Sequence, residues 1–292
     1  MTTTAPRARD HEVAEPAPGA SGSHPDRQPD SATATLAPNR RQASRFDLVG
    51  DLDAAIVLAA VARDDAGAML PAGLRLAAQS RSDLHPLLFV LGRQRNVRFA
   101  FSPFGIDYCE FILAVPFVDH GGSAAEPAGR FAYLPCLFLD RWLPTIGGRL
   151  LLAYEKRQAA IAATDVDYRI ASLSTGEPLL SARFRPASQA IDELPPAALR
   201  EILQLPLISR RARGAWRYSV AQFALDRAQI APLELDLAIE RRFVPGLPTG
   251  ALAFDSGSGR AFRLRTSWRL SGPLARRSPP RDPGLDNRPQ KR

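Results

Sequence analysis

Residues Tyr108 to Leu139 read YCEFILAVPFVDHGGSAAEPAGRFAYLPCLFL, two runs of aromatic and aliphatic residues joined by a glycine-rich turn. Tyr108 to Val118 and Phe131 to Leu139 are dense in residues that suit a pleated, buried surface, and HGGSAAEPAG at 120–129 separates them. The stretch therefore predicts a β-hairpin with a long loop. Working outward, Tyr168 to Leu173 and Leu179 to Phe184 flank Ser174-Thr-Gly-Glu-Pro178, a second hairpin. Leu233 to Phe243 alternates Leu233, Leu235, Leu237 and Ile239 with Glu234, Asp236 and Glu240, the pattern of a half-buried strand. Phe262 to Leu270 alternates too, with Arg263, Arg265 and Arg269 opposite Phe262, Leu264, Trp268 and Leu270. Helical signals are fewer. Asp140 to Ala153 is one, interrupted by Pro144 and Gly147-Gly148, and Pro196 to Leu203 is the other, opened by a proline pair. The segment DAAIVLAAVA at 53–62 is too uniformly apolar for its period to choose between helix and strand. Many strands with few helices predict a mainly β, α+β protein: an antiparallel sheet or barrel with helical decoration.

The chain has 292 residues, 45% hydrophobic and 23% charged, room for one large domain or two small ones in an ordinary soluble composition. No apolar run approaches the roughly 20 residues of a spanning helix, and no membrane is expected as a partner. Met1 to Arg9 has no hydrophobic stretch behind it, so a secretory leader is not expected. Cys109 and Cys136 make neither a metal cage nor a disulfide scaffold, which places the protein in a reducing cytoplasm. Residues 1–45, rich in Pro, Ala, Ser, Thr and Arg, show no period and read as a disordered arm. Residues 273–292 read as a disordered basic tail, and 46–272 as one folded domain.

The formal net charge of +8 suggests nucleic acid until its position is read. Residues 1–45 carry a net +1, residues 273–292 a net +4, and the body only +3. Half the excess lies in a short tail, so nucleic acid is not the expected partner. Of the 38 basic residues 36 are arginine, and Lys156 is the only lysine in the body, Lys291 being in the tail. Arginine stays protonated and cannot act as an amine nucleophile, so a single retained ammonium points toward amine chemistry.

Other chemistries find little support. There is no GxGxxG, no GxxxxGK[ST] and no GxSxG, which excludes the common nucleotide loops and the nucleophile elbow. His11 and His24 lie in the arm, and His85 and His120 are isolated. Cys109 and Cys136 fall within apolar strands as small hydrophobes. Arg210, Arg211, Arg213 and Arg217, near Trp216 and Tyr218, read as a solvated loop. What remains is Gly147-Gly-Arg-Leu-Leu-Leu-Ala-Tyr-Glu-Lys-Arg-Gln158, small residues and an apolar stretch ending in Lys156 beside Arg157. An imine-forming lysine must be neutral part of the time, and apolar burial and a neighbouring cation both disfavour an ammonium. Leu150 to Ala153 supply the apolar neighbours and Arg157 the cation expected to tune the amine; the bland alternative is a surface Lys-Arg pair answering Glu155.

At these residues the chain resembles the acetoacetate decarboxylase family. The family's signature runs Gly-Arg-Glu, a short spacer, an aromatic and Pro-Lys-Lys, the first lysine forming the Schiff base. Gly148 and Arg149 match the opening, Ala153 and Tyr154 the spacer and aromatic, Lys156 the Schiff-base lysine, and Arg157 the cationic second lysine. Met69-Leu-Pro-Ala-Gly-Leu74 resembles the family's Pro-x-x-Leu helix ending. Tyr108-Cys-Glu110 resembles its Tyr-x-Glu segment, whose glutamate lies in the active site. Gly129 to Leu139, with Tyr133 and Pro135, resembles the strand before the helix. The chain departs from the family at Leu150, where a glutamate is expected, and at Glu155, where a proline is. It also has no arginine near Asp51 to Asp53 and no acid at Gly92-Arg-Gln-Arg95, where Arg93 or Arg95 would instead take a substrate carboxylate.

The resemblance implies an antiparallel sheet curled into a barrel or cone around a cavity, with a few peripheral helices. It implies a lyase acting through a Lys156 imine on a keto acid or other carbonyl compound, by decarboxylation or aldol-type chemistry. Glu110 is then the general acid/base or orients the substrate, and Tyr108, Tyr154 and Arg149 line the pocket. No cofactor and no metal are implied, and a homo-oligomer is expected. Two other readings stand beside it: a non-catalytic protein holding an apolar carbonyl or lipid-like ligand in the barrel, and polyanion binding through the arms. Limited proteolysis is expected to trim the chain to a stable core of about 46–272; protection of either arm in the free protein would contradict the domain reading.

Overall fold

The computed structural model describes residues 46–78, 83–120, 130–186, 197–210, 216–254 and 261–274. The expected N-terminal arm, the basic tail beyond residue 274, the 121–129 turn, Arg211 and Arg213 lie outside the described residues. The first described elements are β1 (Leu48–Ala62), α1 (Arg63–Ala68) and β2 (Leu74–Leu76). It continues through β3 (Leu84–Phe99), β4 (Ile106–His120) and β5 (Arg130–Leu139). Next come α2 (Trp142–Gly147), a π-helical turn (Gly148–Leu152), β6 (Lys156–Gln158), β7 (Ala160–Ala163), β8 (Asp167–Ala171) and β9 (Pro178–Pro186). The last part holds α3 (Ala197–Gln204), β10 (Leu207–Arg210), β11 (Trp216–Phe223), β12 (Gln229–Ile239), β13 (Gly250–Phe254) and β14 (Ala261–Leu274).

The strands β1-β3-β4-β5-β10-β11-β14 pair in that order, and β14 pairs back onto β1, so they form a closed ring. From β14 the sheet continues through β12, β9, β8 and β7. Two hydrophobic cores follow from this arrangement. Ile56, Leu88, Val90, Leu137, Leu139, Phe262 and Leu264 meet inside the ring, joined by Leu199 and Ile202 of α3. Val57, Phe89, Phe111, Phe138, Tyr168, Leu180 and Leu237 form the other, between the ring's outer face and the β7-β8-β9-β12 layer.

This two-sided burial resolves the ambiguous 53–62 segment. Ala54 and Ile56 belong to the inner core, Ala55 and Val57 to the outer one, so β1 has no solvent face from Ala54 to Val57, and within the segment only Ala60 and Ala62 turn to solvent. The predicted hairpins appear as β4–β5 and β8–β9, both antiparallel. The strand expected to reach Phe243 stops at Ile239, yet the Phe243 ring still packs against Phe111 and Phe138, with centroids 5.7 and 5.3 Å away. The sheet is predominantly antiparallel, as expected, with two parallel pairings, both on β5. β5 takes both β6 and β10 as parallel partners, β6 along Leu137 to Leu139 and β10 along Ala132 and Tyr133. A parallel partner cannot follow a tight turn. Residues 140–155, with α2 and the π-helical turn, are the crossover that brings β6 back beside β5.

Ring closure at the β1–β14 seam is fastened on the outer face. The Asp53 carboxylate accepts Arg263 Nε at 2.8 Å, Arg263 Nη2 at 3.1 Å and Arg265 Nε at 3.1 Å. Burial alone would raise the Asp53 carboxyl, but the hydrogen bonds and charges of Arg263 and Arg265 outweigh it and hold it below its ordinary range. A carboxyl depressed in the fold contributes stability above its unfolded value, near pH 4, and loses it as pH falls through the lower folded value. Asp53→Asn is therefore expected to lower stability at pH 7 by about 1–2 kcal/mol. Its deficit against the wild type should shrink in denaturant titrations carried below about pH 4; an equal deficit at pH 7 and pH 3 would contradict this role.

Candidate active site

Lys156 opens β6 opposite Leu137 of β5, and Glu110 of β4 lies opposite Leu139. Both leucines belong to the inner core, so the lysine and the glutamate straddle β5 on the inner side of the ring. Although 46 residues apart in sequence, they meet: Lys156 Nζ donates to Glu110 Oε1 at 3.3 Å. Their side chains are only 9% and 6% exposed. A pair so far out of water is unlike an exposed ion pair, because removing either partner leaves the other charge buried and uncompensated. The surface Lys-Arg reading fails on this observation. Glu155, its supposed partner, is exposed on the opposite side of the chain, while its backbone carbonyl accepts Leu137 N–H at 3.4 Å.

The crossover packs directly onto the lysine. A Cβ at Gly148 would stand 2.3 and 2.4 Å from Lys156 Cδ and Cε and 3.1 Å from Nζ, so any side chain there would push the end of the lysine aside. Arg149 is exposed, and its Nε donates to the Lys156 carbonyl at 2.5 Å, holding the backbone of the lysine rather than lining a pocket. The turn ends at Ala153, left-handed at φ 57°, after which Tyr154 goes inward and its phenol meets Ser219 Oγ. Burial pushes the Tyr154 hydroxyl far above its ordinary range. Tyr108, two residues before Glu110 on the same inner face, is raised likewise, by burial first and the Glu110 charge second. Both phenols therefore stay protonated and can donate hydrogen bonds.

Two residues of the site were not legible as such in the sequence. Glu110 Oε2 accepts Gln94 Nε2 at 3.1 Å, and Gln94 Oε1 accepts Trp268 Nε1 at 2.8 Å. Gln94 is buried on β3, opposite Tyr108, and Trp268 is on β14. The available signal was weak: Gln94 is a polar residue in phase with the inward Leu88 and Val90.

Three expected site residues lie elsewhere. Arg157, next to Lys156 on an extended strand, points the other way and donates to the Phe243 carbonyl at 3.2 Å; the charge against the lysine amine is the Glu110 carboxylate. Arg93 follows the outward-facing phase of β3, where its guanidinium donates to the Ala163 carbonyl. It lines a small outer cavity of about 30 Å³ with Asp53, Asp165 and Arg263. Arg95 is exposed, one residue from the inward Gln94. Strand alternation explains all three. A larger cavity of about 360 Å³ opens beside β5 between β6 and β10, lined by Leu134, Tyr154, Glu155, Ser209 and Arg210 among others. Arg210 is stacked 5.3 Å over Trp216 and donates to the Ala72 carbonyl at 3.0 Å. Cys136 is buried with its thiol pushed up to about 12, an inert core residue. Among the described residues no cluster of metal-ligating side chains occurs, and no helix is long and apolar enough to cross a membrane.

No protein-family model matches the chain, and no curated protein matches it in sequence. Solved structures do match. An acetoacetate decarboxylase-like enzyme from Sphingomonas wittichii RW1 superposes with a TM-score of 0.56 at 15% identity, covering 79% of this chain and 92% of its own. Acetoacetate decarboxylase from Legionella pneumophila gives 0.53 at 13% identity over 82% of this chain and 92% of that one. A third acetoacetate decarboxylase structure gives 0.51 at 14% identity over 80% and 92%. The chain thus has the acetoacetate decarboxylase-like fold, mostly β with few helices.

Proposed function

We propose that this protein is a carbon–carbon lyase that forms an imine between Lys156 and a keto acid or another carbonyl compound. One observation carries the reading: the only lysine of residues 46–272 is buried inside the ring with its amine 3.3 Å from a buried carboxylate. Lys156 gives a proton to Glu110 Oε1, and the freed lone pair adds to the carbonyl carbon, whose oxygen takes up the proton that the newly bonded nitrogen sheds, leaving a neutral carbinolamine. Glu110 returns its proton to the resulting hydroxyl, which leaves as water, and the C=N⁺ bond forms. The iminium then accepts the electron pair of the breaking bond. Carbon dioxide or an aldehyde leaves, an enamine remains, and protonation at carbon followed by hydrolysis restores the amine. Tyr108 and Tyr154, held protonated by burial, supply hydrogen bonds inside the ring, and Arg149 and Gly148 hold the lysine in place. The fold shared with acetoacetate decarboxylases supports the reading without identifying the substrate.

A second reading, a non-catalytic ring that holds an apolar carbonyl or lipid-like ligand, is favoured by a different observation. The arginines expected to take a substrate carboxylate, Arg93 and Arg95, are on the outer side of β3.

Trapping separates the two. Incubation with acetoacetate or pentane-2,4-dione followed by borohydride is expected to leave an adduct on Lys156, located by peptide mass spectrometry. Lys156→Arg keeps the charge and should abolish the adduct. Glu110→Gln should slow trapping by about 10²-fold or more. Gly148→Ala, whose Cβ would collide with Lys156, should reduce trapping while the circular-dichroism spectrum is retained. Labelling of Lys156 no faster than Lys291 and the N-terminal amine would overturn the lyase reading in favour of the binding one.

A further inference from the structure

Glu110 has two oxygens, and the structure treats them differently. Oε1 faces the Lys156 amine at 3.3 Å, and Oε2 faces the Gln94 amide at 3.1 Å. A glutamine side chain can present either its oxygen or its NH₂ to a neighbour, and packing alone does not choose between them. Here the neighbour on the far side chooses. The indole N–H of Trp268 is a donor and nothing else, so the Gln94 atom 2.8 Å from it must be the carbonyl oxygen. The NH₂ is then turned toward Glu110, and it too can only donate. Oε2 must accept at that point, and a hydrogen bond offered to a carboxylate oxygen favours the ionised form at that oxygen.

The backbone is arranged to let Trp268 do this. In the ring β1 lies between β14 and β3, so the indole on β14 has to pass over β1 to reach Gln94. It passes at Gly50, the direct partner of Trp268 in the β1–β14 ladder. A Cβ at Gly50 would come within 3.2 Å of Trp268 Cζ2 and 2.9 Å of Val97 Cγ2, so the missing side chain makes the space in which the ring lies.

We infer that Trp268 and Gln94 are positioning residues that act through Glu110: together they keep Oε2 an acceptor and confine proton exchange to Oε1, the oxygen beside Lys156. Neither touches the reacting atoms. Their effect is to make the carboxyl deliver and recover its proton at the oxygen from which the lysine nitrogen is in reach. The charged and titratable groups around Glu110 are the Lys156 ammonium from β6, the Tyr108 phenol from β4 itself, the Tyr154 phenol from the crossover's end and the Tyr168 phenol of β8, which the Glu110 charge also raises. The phenols stay neutral, and the group oriented against Oε2 is the neutral Gln94 amide. The proton-transfer half of this inference rests on Lys156 being the nucleophile; the orientation half does not.

The test uses the full chain and two variants that remove the donor by different routes. Trp268→Phe keeps an aromatic ring but frees the amide to turn over, and Gln94→Leu removes the amide at similar size. With glutamate carboxyl carbons labelled with ¹³C and the Glu110 signal identified by its loss in Glu110→Gln, the carboxyl shift is followed against pH. Each variant should move the titration midpoint upward by about one pH unit, the size expected when a hydrogen bond to a charged group is withdrawn. The acid-side fall of borohydride trapping should move with it. Coincident carboxyl midpoints in wild type and both variants would overturn the inference, even where trapping is slower, because a merely structural role changes rate without moving the profile. Absence of trapping in the wild type, with the carboxyl midpoint still moving in the variants, would remove the lyase reading and leave the relay in place.

Discussion

An ammonium and a carboxylate placed 3.3 Å apart and withdrawn from water make the demand to which the surrounding structure answers. Taking either charge out of water alone costs several kcal/mol, so each is tolerable only while the other stays in register. Register here is a property of β5. Glu110 lies across Leu139 on one side of that strand and Lys156 across Leu137 on the other, and a slip of one residue in either ladder would turn a charged side chain to the wrong face. Because β6 runs parallel to β5, the chain needs a crossover between them. That crossover supplies Gly148, whose backbone lies on the lysine, Arg149, which holds the lysine's carbonyl, and Tyr154, whose phenol closes onto Ser219.

The two faces of the ring divide the labour. Inside, Trp268, Gln94, Glu110 and Lys156 are joined by hydrogen bonds in one line. Outside, arginine and aspartate fasten the β1–β14 seam through Asp53, Arg263 and Arg265, with Arg263 also reaching Asp165. Arg93 lies on this outer face as well, its guanidinium donating to the Ala163 carbonyl. The single lysine of the folded body goes to the inner face, where only an amine can form an imine.

Much of the strand content was readable from local pattern. The 108–139 hairpin, the 168–184 hairpin and the alternation of Phe262 to Leu270 each show one buried face or flanking turn residues, and each became the expected strand. The 53–62 segment was unreadable for a physical reason: Ala54 to Val57 are packed on both faces, and the exposed positions further on, Ala60 and Ala62, are themselves apolar. The departures at Leu150 and Glu155 look serious in a linear motif. In space both positions are exposed, whereas the lysine is buried. Arg157, by contrast, looks ideal in sequence and faces away, because neighbouring residues on a strand take opposite sides.

Composition and spacing by themselves determined that one lysine stands apart, that Glu110 sits on an apolar strand, and that the body is built mainly of strands. These are local facts, set by residue type and by the two-residue period of a pleated chain. Which charge meets which was decided only by tertiary structure. The partner of Lys156 is a glutamate 46 positions away rather than the one beside it, and that glutamate's second oxygen is fixed through Gln94 by an indole 174 positions further on. The reason is that strand pairing brings together residues distant in the chain, and adjacency along a strand separates residues that are next to each other in sequence.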